Sequence, residues 1–335
     1  MRKALSFALA LGMAVSMCTV VAMAEAPEYT FTYAELNGDD NINSRVGYKF
    51  AEYVDELSEG RIKIDVFTAS QLGDEITCLN ALQMGGGTVD FYRGNTNSLG
   101  DYGIKKMNLF GLPYIFSSRE GMWKVLDDEN LGQAFLNEGA EVGAGFVGIA
   151  YTDEGARNTF TSMEISSIAD LKGKKIRVPE TTLMMDTMSA LGAEPTPISY
   201  SELYSSIQTG VVDGGENGYP GYDSNKFYEV APYYLLDGHT FSPGVILMAE
   251  ARWNELSEED QALLKEAGAK ASAWNKEQIE AEETELRKSL EEKGVTIIDV
   301  PAEDMAAAQE ACKDVWAGYS EGVEEELQAI VDIQK

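Results

Sequence analysis

Three arginines occupy positions from which they could bind a small anion. Arg93, Arg157 and Arg177 are each predicted at or just past the carboxyl end of a strand. Open α/β sheets bind their ligands at that edge. A guanidinium group presents a planar pair of N–H donors that matches both oxygens of a carboxylate, and the amide of Asn217 can both donate and accept. These residue types predict a site that holds a small carboxylate.

The strongly acidic composition of the chain bears on how it could bind an anion. The 335-residue sequence has 26 lysines and arginines against 56 acidic residues, which gives a formal net charge of −30. Such a chain attracts neither nucleic acid nor anionic membrane surfaces. An anion site must therefore be local, and must be built from a few inward-pointing arginines.

Residues for other chemistries are scarce. One histidine rules out a His-rich zinc site, and neither Cys78 nor Cys312 has a Cys or His at metal-ligand spacing. These cysteines could pair in an oxidising compartment, but their apolar helical faces favour two separate buried thiols. G-x-S-x-G and P-loop motifs are absent, so we predict no cofactor or metal. A secreted enzyme with a carboxylate pair, such as a glycosidase or lyase, stays open.

The N-terminus has the pattern of a secretory signal. Basic residues at 2 and 3 precede an apolar run from Ala4 to about Val15, and a small-residue site ends at Ala24. We expect cleavage after about Ala24 and export to the periplasm or cell surface. Cys18 offers the alternative of a lipid anchor, although Met17 before it fits such a site poorly.

Hydrophobic periodicity predicts alternating strands and helices, which is typical of parallel sheets covered by helices. The predicted strands are Tyr29–Glu35, Arg61–Phe67, Thr88–Tyr92, Gly145–Tyr151, Thr159–Thr161, Lys174–Val178, Tyr233–Asp237, Val245–Met248 and Val295–Val300. The predicted helices are Ser44–Ser58, Glu75–Met84, Glu120–Asn137, Leu183–Leu191, Tyr200–Gln208, a long helix capped by Ser257 that reaches about Glu292, and a final helical region from Pro301 to Ile333.

Three blocks of sequence resemble a known family. GKKIRVPET, LGAEPTPISYSELYSSIQTGVVDGGEN and RIKIDVFTASQLGDE are similar to the solute-binding proteins of TRAP (tripartite ATP-independent periplasmic) transporters, the dicarboxylate-binding-protein family. The resemblance spans essentially the whole mature chain. It implies an α/β, two-lobed periplasmic-binding-protein fold with a long helix spanning both lobes. It also implies no enzyme activity, and delivery of the ligand to TRAP membrane permease subunits. We expect a monomer.

The resemblance also suggests how the chain divides. After the signal peptide at 1–24, lobe I is expected at 25–154 plus about 243–282. Lobe II is expected at about 155–242 plus about 283–302. A C-terminal helical region, 303–335, would pack on the lobes.

The family's main ligand contacts can be carried onto four residues. In IRVP, Arg177 would form a bidentate salt bridge with the substrate carboxylate; the alternative is an ion pair with an acid at the domain interface. Arg157 matches the family's second arginine, or forms a surface pair with a neighbouring acid at 153 or 154. Asn217 matches a ligand-binding amide, or stabilises a turn. Arg93 resembles an arginine of sugar-acid-binding members, or makes an interlobe contact.

A second group of polar residues could read the ligand's hydroxyl groups. Glu75 could meet a hydroxyl or serve the dipole of its helix, and Tyr219 offers a ring face for a sugar. His239 is either a ligand contact or a structural residue. The other members of this group are Glu35, Asn37, Asn95 and Asn97.

The ligand class also rests on resemblance. GARNTFTS, IRVP, ENGYPGY and LDGHTFSP together resemble uronate-binding members, which predicts glucuronate or galacturonate. The chain departs from them at Gly218-Tyr219 and at 241–244. Sialic acid, a C4-dicarboxylate or a 2-oxo acid stays open, as does a sensor that feeds a signalling kinase.

Overall fold

Residues 26–335 are described by a computed structural model. The predicted signal peptide, its cleavage site and Cys18 lie outside the described residues. Within the described part of the chain, no helix combines the length and apolar character needed to cross a bilayer.

Strands and helices alternate along the chain. The strands are β1 (Tyr29–Ala34), β2 (Ile62–Phe67), β3 (Phe91–Asn95), β4 (Phe146–Thr152), β5 (Arg157–Thr161), β6 (Lys175–Val178), β7 (Glu194–Pro197), β8 (Gly214–Asn217), β9 (Tyr233–Thr240), β10 (Gly244–Ala249) and β11 (Thr296–Asp299). The helices are α1 (Ile42–Leu57), α2 (Glu75–Gln83), α3 (Arg119–Leu126), α4 (Gly132–Phe135), α5 (Glu138–Glu141), α6 (Thr182–Ala190), α7 (Leu203–Gln208), α8 (Tyr219–Ser224), α9 (Glu250–Trp253), α10 (Glu258–Glu292), α11 (Ala302–Ala311), α12 (Lys313–Tyr319) and α13 (Glu324–Ile333).

The strands form two sheets. The first has the order β2-β1-β3-β10-β4, with β1 parallel to β2 and β3 and with β10 antiparallel to both of its neighbours. The second has the order β11-β9-β5-β8-β6-β7, with β5 antiparallel to β8 and β9. The chain leaves the first sheet after β4 and returns to it at β10, so residues 153–156 and 241–243 connect the two sheets.

Apolar and polar side chains alternate along β2, as expected for a strand with one face in the core. In β2, Ile62 and Ile64 are buried on one face while Asp65 is exposed on the other. Phe91 of β3 lies in the core against Phe31 and Phe50, with ring centroids 5.7 and 5.4 Å away. The second sheet has its own aromatic core, in which Phe160 stacks on Phe227 at 5.4 Å. Separate cores support two lobes.

The long helix joins the two lobes, as predicted. Its N-cap is Ser257, whose side chain accepts a hydrogen bond from the backbone N–H of Asp260. The helix packs on α1 and β4 of the first lobe and on α8 of the second. Asn275, which is fully buried, accepts from the Asp153 N–H at 2.6 Å and donates to the Asp153 carbonyl at 3.1 Å. The helix therefore holds the first connection between the sheets.

The structure corrects two predicted elements and adds strands that the sequence did not predict. The strand predicted at Thr88–Tyr92 lies three residues later, in β3, because Gly87 and Asp90 form a turn in which the Asp90 carboxylate accepts from the Gly87 N–H. The helix predicted at Glu120–Asn137 is broken after Leu126, because the Asp128 side chain caps a turn at 130 and 131. The edge strand β7, EPTP, was missed because two prolines are atypical of strands.

The two cysteines within residues 26–335 are buried and do not form a disulfide with each other. Cys78 packs in a core of the first lobe, while Cys312 packs in a different cluster beside β6 and α6. Burial raises the pKa of each thiol to about 12. The prediction of two separate buried thiols is confirmed.

We predict that Asn275→Ala lowers the free energy of unfolding by about 2 kcal/mol, because it leaves the buried N–H and carbonyl of Asp153 without partners. Urea denaturation followed by circular dichroism measures this change. Glu277→Ala, on an exposed face of the same helix, is the control and should change stability by less than about 0.5 kcal/mol. Equal unfolding midpoints for the two variants would contradict the prediction.

Candidate ligand-binding site

A cleft between the two sheets contains most of the predicted site residues. It contains about 610 Å³ of space free of atoms, part of it continuous with bulk solvent. Both lobes and the connection at 153–156 contribute to its wall. The lining residues are Leu36, Asn37, Asn43, Asp74, Glu75, Tyr92, Arg93, Asn95, Glu154, Arg157, Arg177, Pro179, Glu180, Ser199, Tyr200 and Asn217.

Arg177, on β6, is the cleft arginine without an acidic partner. It is 3% exposed, and its Nε donates to the Ile198 carbonyl at 2.7 Å. Its guanidinium lies over the ring of Tyr200, 5.5 Å from the centroid. No acid among residues 26–335 forms a salt bridge with it. Burial lowers the pKa of Arg177, and the attraction of Glu216 offsets only part of this effect. An anion in the cleft would restore the lost solvation.

Arg157 is already neutralised by the protein. Its Nε and Nη2 hold the Glu216 carboxylate at 2.5 and 2.8 Å, and its Nη1 donates to Glu154 at 2.7 Å. The predicted alternative, a pair with Glu154, is therefore present, but it is buried rather than at the surface. The position of Arg157 also corrects the sequence analysis, because it begins β5 instead of following a strand. One Nη1 hydrogen is left for a ligand.

Arg93 is paired in the same way. Its Nε donates to Glu35 at 2.7 Å, and its Nη1 lies 3.2 Å from Glu154. Arg93 is inside β3 and not past the end of a strand, which corrects the predicted position. The charges of Arg93 and Arg157 are thus balanced by acids behind and between them.

Glu154 is the carboxylate between these arginines. One of its oxygens accepts from Arg157 and from Asn95, each at 2.7 Å, while the other accepts from Arg93 at 3.2 Å and from Asn43 at 3.4 Å. The residue belongs to the connection at 153–156 and lines the cleft. It therefore joins groups from both lobes.

Asn217 is held by a second network that crosses the cleft. It ends β8, and its Nδ2 donates to the Tyr200 hydroxyl at 3.0 Å while its Oδ1 accepts from the Gly218 N–H at 2.7 Å. The Tyr200 hydroxyl in turn donates to Asn37 of the first lobe at 3.3 Å. Gly221 leaves room for this amide, since a Cβ there would come within 2.6 Å of Asn217 Oδ1.

Glu75 lines the cleft from the first turn of α2. It accepts from the Tyr92 hydroxyl at 3.3 Å, and burial raises the pKa of its carboxyl group despite a hydrogen bond with Ser98. A carboxyl group accepts from a hydroxyl group, and it can also donate to one when it is protonated. This position is suited to a ligand hydroxyl rather than to a second anion.

The other predicted site residues lie at different depths. Asn95 lines the cleft, where it supports Glu154, whereas Glu35 and Asn97 are buried behind the wall. Tyr219 does not line the cleft, because its ring stacks on Tyr234 at 4.8 Å in the core of the second lobe. The predicted sugar-stacking role of Tyr219 therefore has no geometric basis.

His239 also lies behind the cleft. Its Nδ1 is 3.3 Å from Asp237 and its Nε2 is 3.4 Å from Glu216. Burial would lower the pKa of His239, but the attraction of Asp237 and Glu216 raises it to about 9. The pKa of Glu216 would be raised by burial, but Arg157 and His239 lower it to about 2. His239 orients Glu216, which orients Arg157.

Sequence reasoning missed two residues that shape the site, Glu216 and Tyr200, and it expected the pair with Glu154 at the surface rather than in the cleft wall. A buried arginine requires an acid, so Arg157 was a signal that one of the nearby acids must point inward. One of these acids is Glu216, which the antiparallel pairing of β5 with β8 places opposite Thr159. The sequence alone does not show which strands pair.

We predict that the native protein loses up to about 3 kcal/mol of stability between pH 6.5 and 9.5 through His239. The folded-state pKa is raised, so this contribution is complete below about pH 6.5 and disappears as the pH rises through about 9. Denaturation of the native protein and of His239→Gln across this range measures it. Groups common to both proteins cancel in the difference, which should shrink with rising pH. A difference in unfolding free energy that stays constant over this pH range would show that His239 is not protonated in the folded protein.

Comparisons with known proteins agree with this architecture. A family model described as bacterial extracellular solute-binding protein, family 7, matches residues 34–322. A solute-binding protein of Roseobacter denitrificans is 36% identical over 325 residues, which cover 96% of each chain.

Solved structures give the same result. A TRAP periplasmic solute-binding protein of R. denitrificans with bound L-galactonate has a TM-score of 0.83 and 34% identity, and the match covers 91% of this chain and 99% of that chain. Another, from Xanthobacter autotrophicus with bound β-D-galacturonate, has a TM-score of 0.84 and 28% identity, with the same coverage. The predicted fold and family are confirmed. This chain belongs to family 7 of the bacterial extracellular solute-binding proteins, and it is a binding protein rather than an enzyme.

Proposed function

We propose that this chain captures a sugar acid for a TRAP transporter, with glucuronate and galacturonate as the first candidates, and that Arg177 binds the ligand carboxylate. The observation that carries the proposal is the charge state of the cleft. Arg177 is buried, faces the cleft, and has no acidic partner among the described residues. A buried charge of this kind is stable when an anion completes its hydrogen bonds.

The rest of the wall suits a polyhydroxylated molecule. Asn37, Asn217 and Tyr200 present amide and hydroxyl groups near Arg177, and Glu75 adds a carboxyl group. Such groups donate to and accept from sugar hydroxyls. The solved relatives that hold galactonate and galacturonate support this ligand class. Arg157 would contribute its remaining N–H, with its orientation set by Glu216.

The two lobes would close around the ligand. Hydrogen bonds already join them: Asn41 donates to the Pro220 carbonyl at 3.1 Å, and Thr182 donates to Asp101 at 3.1 Å. We propose the connections at 153–156 and 241–243 as hinges, which matches the lobe boundaries predicted from the sequence. Gly155 has a φ of +87°, a conformation that glycine adopts without strain.

The mature protein would act outside the cytoplasm as a monomer. Its signal peptide would be removed after about Ala24, and the closed complex would deliver the ligand to the membrane permease subunits. Family 7 proteins are extracellular by description, which supports this location.

We predict that Arg177→Ala weakens uronate binding at least about 100-fold, because a desolvated charge-assisted pair is lost. Isothermal titration calorimetry with galacturonate and glucuronate measures the change. The unliganded variant should be at least as stable as the native protein, because the substitution removes a buried charge without an acidic partner.

Arg45→Ala is the matched control, since Arg45 is a more exposed arginine that pairs with Glu282 outside the cleft wall. Its affinity should stay within about threefold of the native value. Tight binding by Arg177→Ala would contradict the assignment of the carboxylate to Arg177. A native protein that binds no sugar acid would contradict the proposed ligand class.

A further inference from the structure

Among the described residues, three arginines line the cleft, and one of them, Arg177, has no salt-bridge partner. Glu35 and Glu154 balance Arg93, while Glu154 and Glu216 balance Arg157. Among residues 26–335, Arg177 alone of the three has no salt-bridge partner. The number of cleft arginines therefore overstates how many carboxylates the site can accept.

We infer that Glu154 makes the cleft selective for ligands with a single carboxylate, and that it excludes molecules with a second carboxylate. This inference rests on the proposed function, because it assumes that the first carboxylate binds Arg177. Glu154 lines the cleft, is 5% exposed, and uses both of its oxygens to accept from Arg93, Arg157, Asn95 and Asn43.

The physical reason is that Glu154 occupies the place of a second anion. A ligand carboxylate that approached Arg93 and Arg157 would compete for donors that Glu154 already holds. It would also meet a like charge in a desolvated cleft, where repulsion is strong. A ligand hydroxyl carries no charge to be repelled, and its oxygen can accept the Nη1 hydrogen that Arg157 still has free. The site therefore accepts a hydroxyl where it rejects an anion.

A second acid reinforces this preference. Glu75 faces the same cleft from α2, so a second ligand carboxylate would also approach this acid. A dianion with one end at Arg177 would thus meet acids and not free cations along the remaining wall. Selectivity of this kind comes from a repulsive element rather than from added contacts.

Galactonate and galactarate provide a matched pair of probes. They share one carbon chain and hydroxyl pattern, and differ by a terminal CH₂OH in galactonate where galactarate has a second carboxylate. Calorimetry at pH 7.5 should show that galactarate binds at least about tenfold more weakly than galactonate. If a uronate binds more tightly than galactonate, that uronate is the reference instead. Galactarate binding as tightly as the best monocarboxylate would overturn the inference. It would still leave the proposed function standing.

Glu154→Gln tests the residue itself, since it keeps the shape and removes the charge. In this variant, the ratio of the galactonate affinity to the galactarate affinity should fall at least about tenfold, mainly because galactarate binds more tightly. Glu277→Gln is the matched control, because it removes the same charge from an exposed position on the long helix that does not line the cleft. Its galactonate-to-galactarate affinity ratio should change less than about threefold.

Equal changes in both variants, or no change in Glu154→Gln, would overturn the role of Glu154. If Glu154→Gln does not fold, as judged by circular dichroism, the preference of the native protein decides the question. A native protein that binds none of these anions would overturn the proposed function together with this inference. That result is distinct from a preference for galactarate.

Discussion

Buried charges alternate in sign from one lobe to the other. The series runs Asp237, His239, Glu216, Arg157, Glu154, Arg93 and Glu35. Each member is less than a tenth exposed, so each would be costly to bury without a neighbour of opposite sign. The series has a negative charge at each end and balances its arginines internally. Arg177 is outside it, and this separation leaves one guanidinium for the ligand.

The strand pairing and the connections of the fold place these charged residues next to one another. Antiparallel pairing of β5 with β8 brings Arg157 and Glu216 together, and β9 carries Asp237 and His239 beside them. The first connection between the sheets places Glu154 against Arg93 of β3. The long helix holds that connection through Asn275. A change in the relative position of the lobes would therefore alter the contacts of Glu154 before those of Glu216.

Local patterns predicted most of the secondary structure and part of the site. The alternation of apolar and polar residues predicts β2, and the capping residue Ser257 predicts the start of the long helix. Each of these signals depends only on residues that are close together in the sequence. Arg177 and Asn217 were found through the motifs that carry the family resemblance. The partners of Arg157 depend on pairing between strands that are far apart in sequence. The inward position of Tyr219 depends on Tyr234, and no local pattern contains that information.

A crystal structure of the mature protein with bound galacturonate would show which arginine holds the ligand carboxylate. We expect both carboxylate oxygens of the ligand within about 3 Å of the terminal nitrogens of Arg177, with the Arg157–Glu216 pair and the four contacts of Glu154 intact. A ligand carboxylate bound to Arg157 or Arg93, with Glu154 or Glu216 displaced and Arg177 paired to a protein acid, would contradict it.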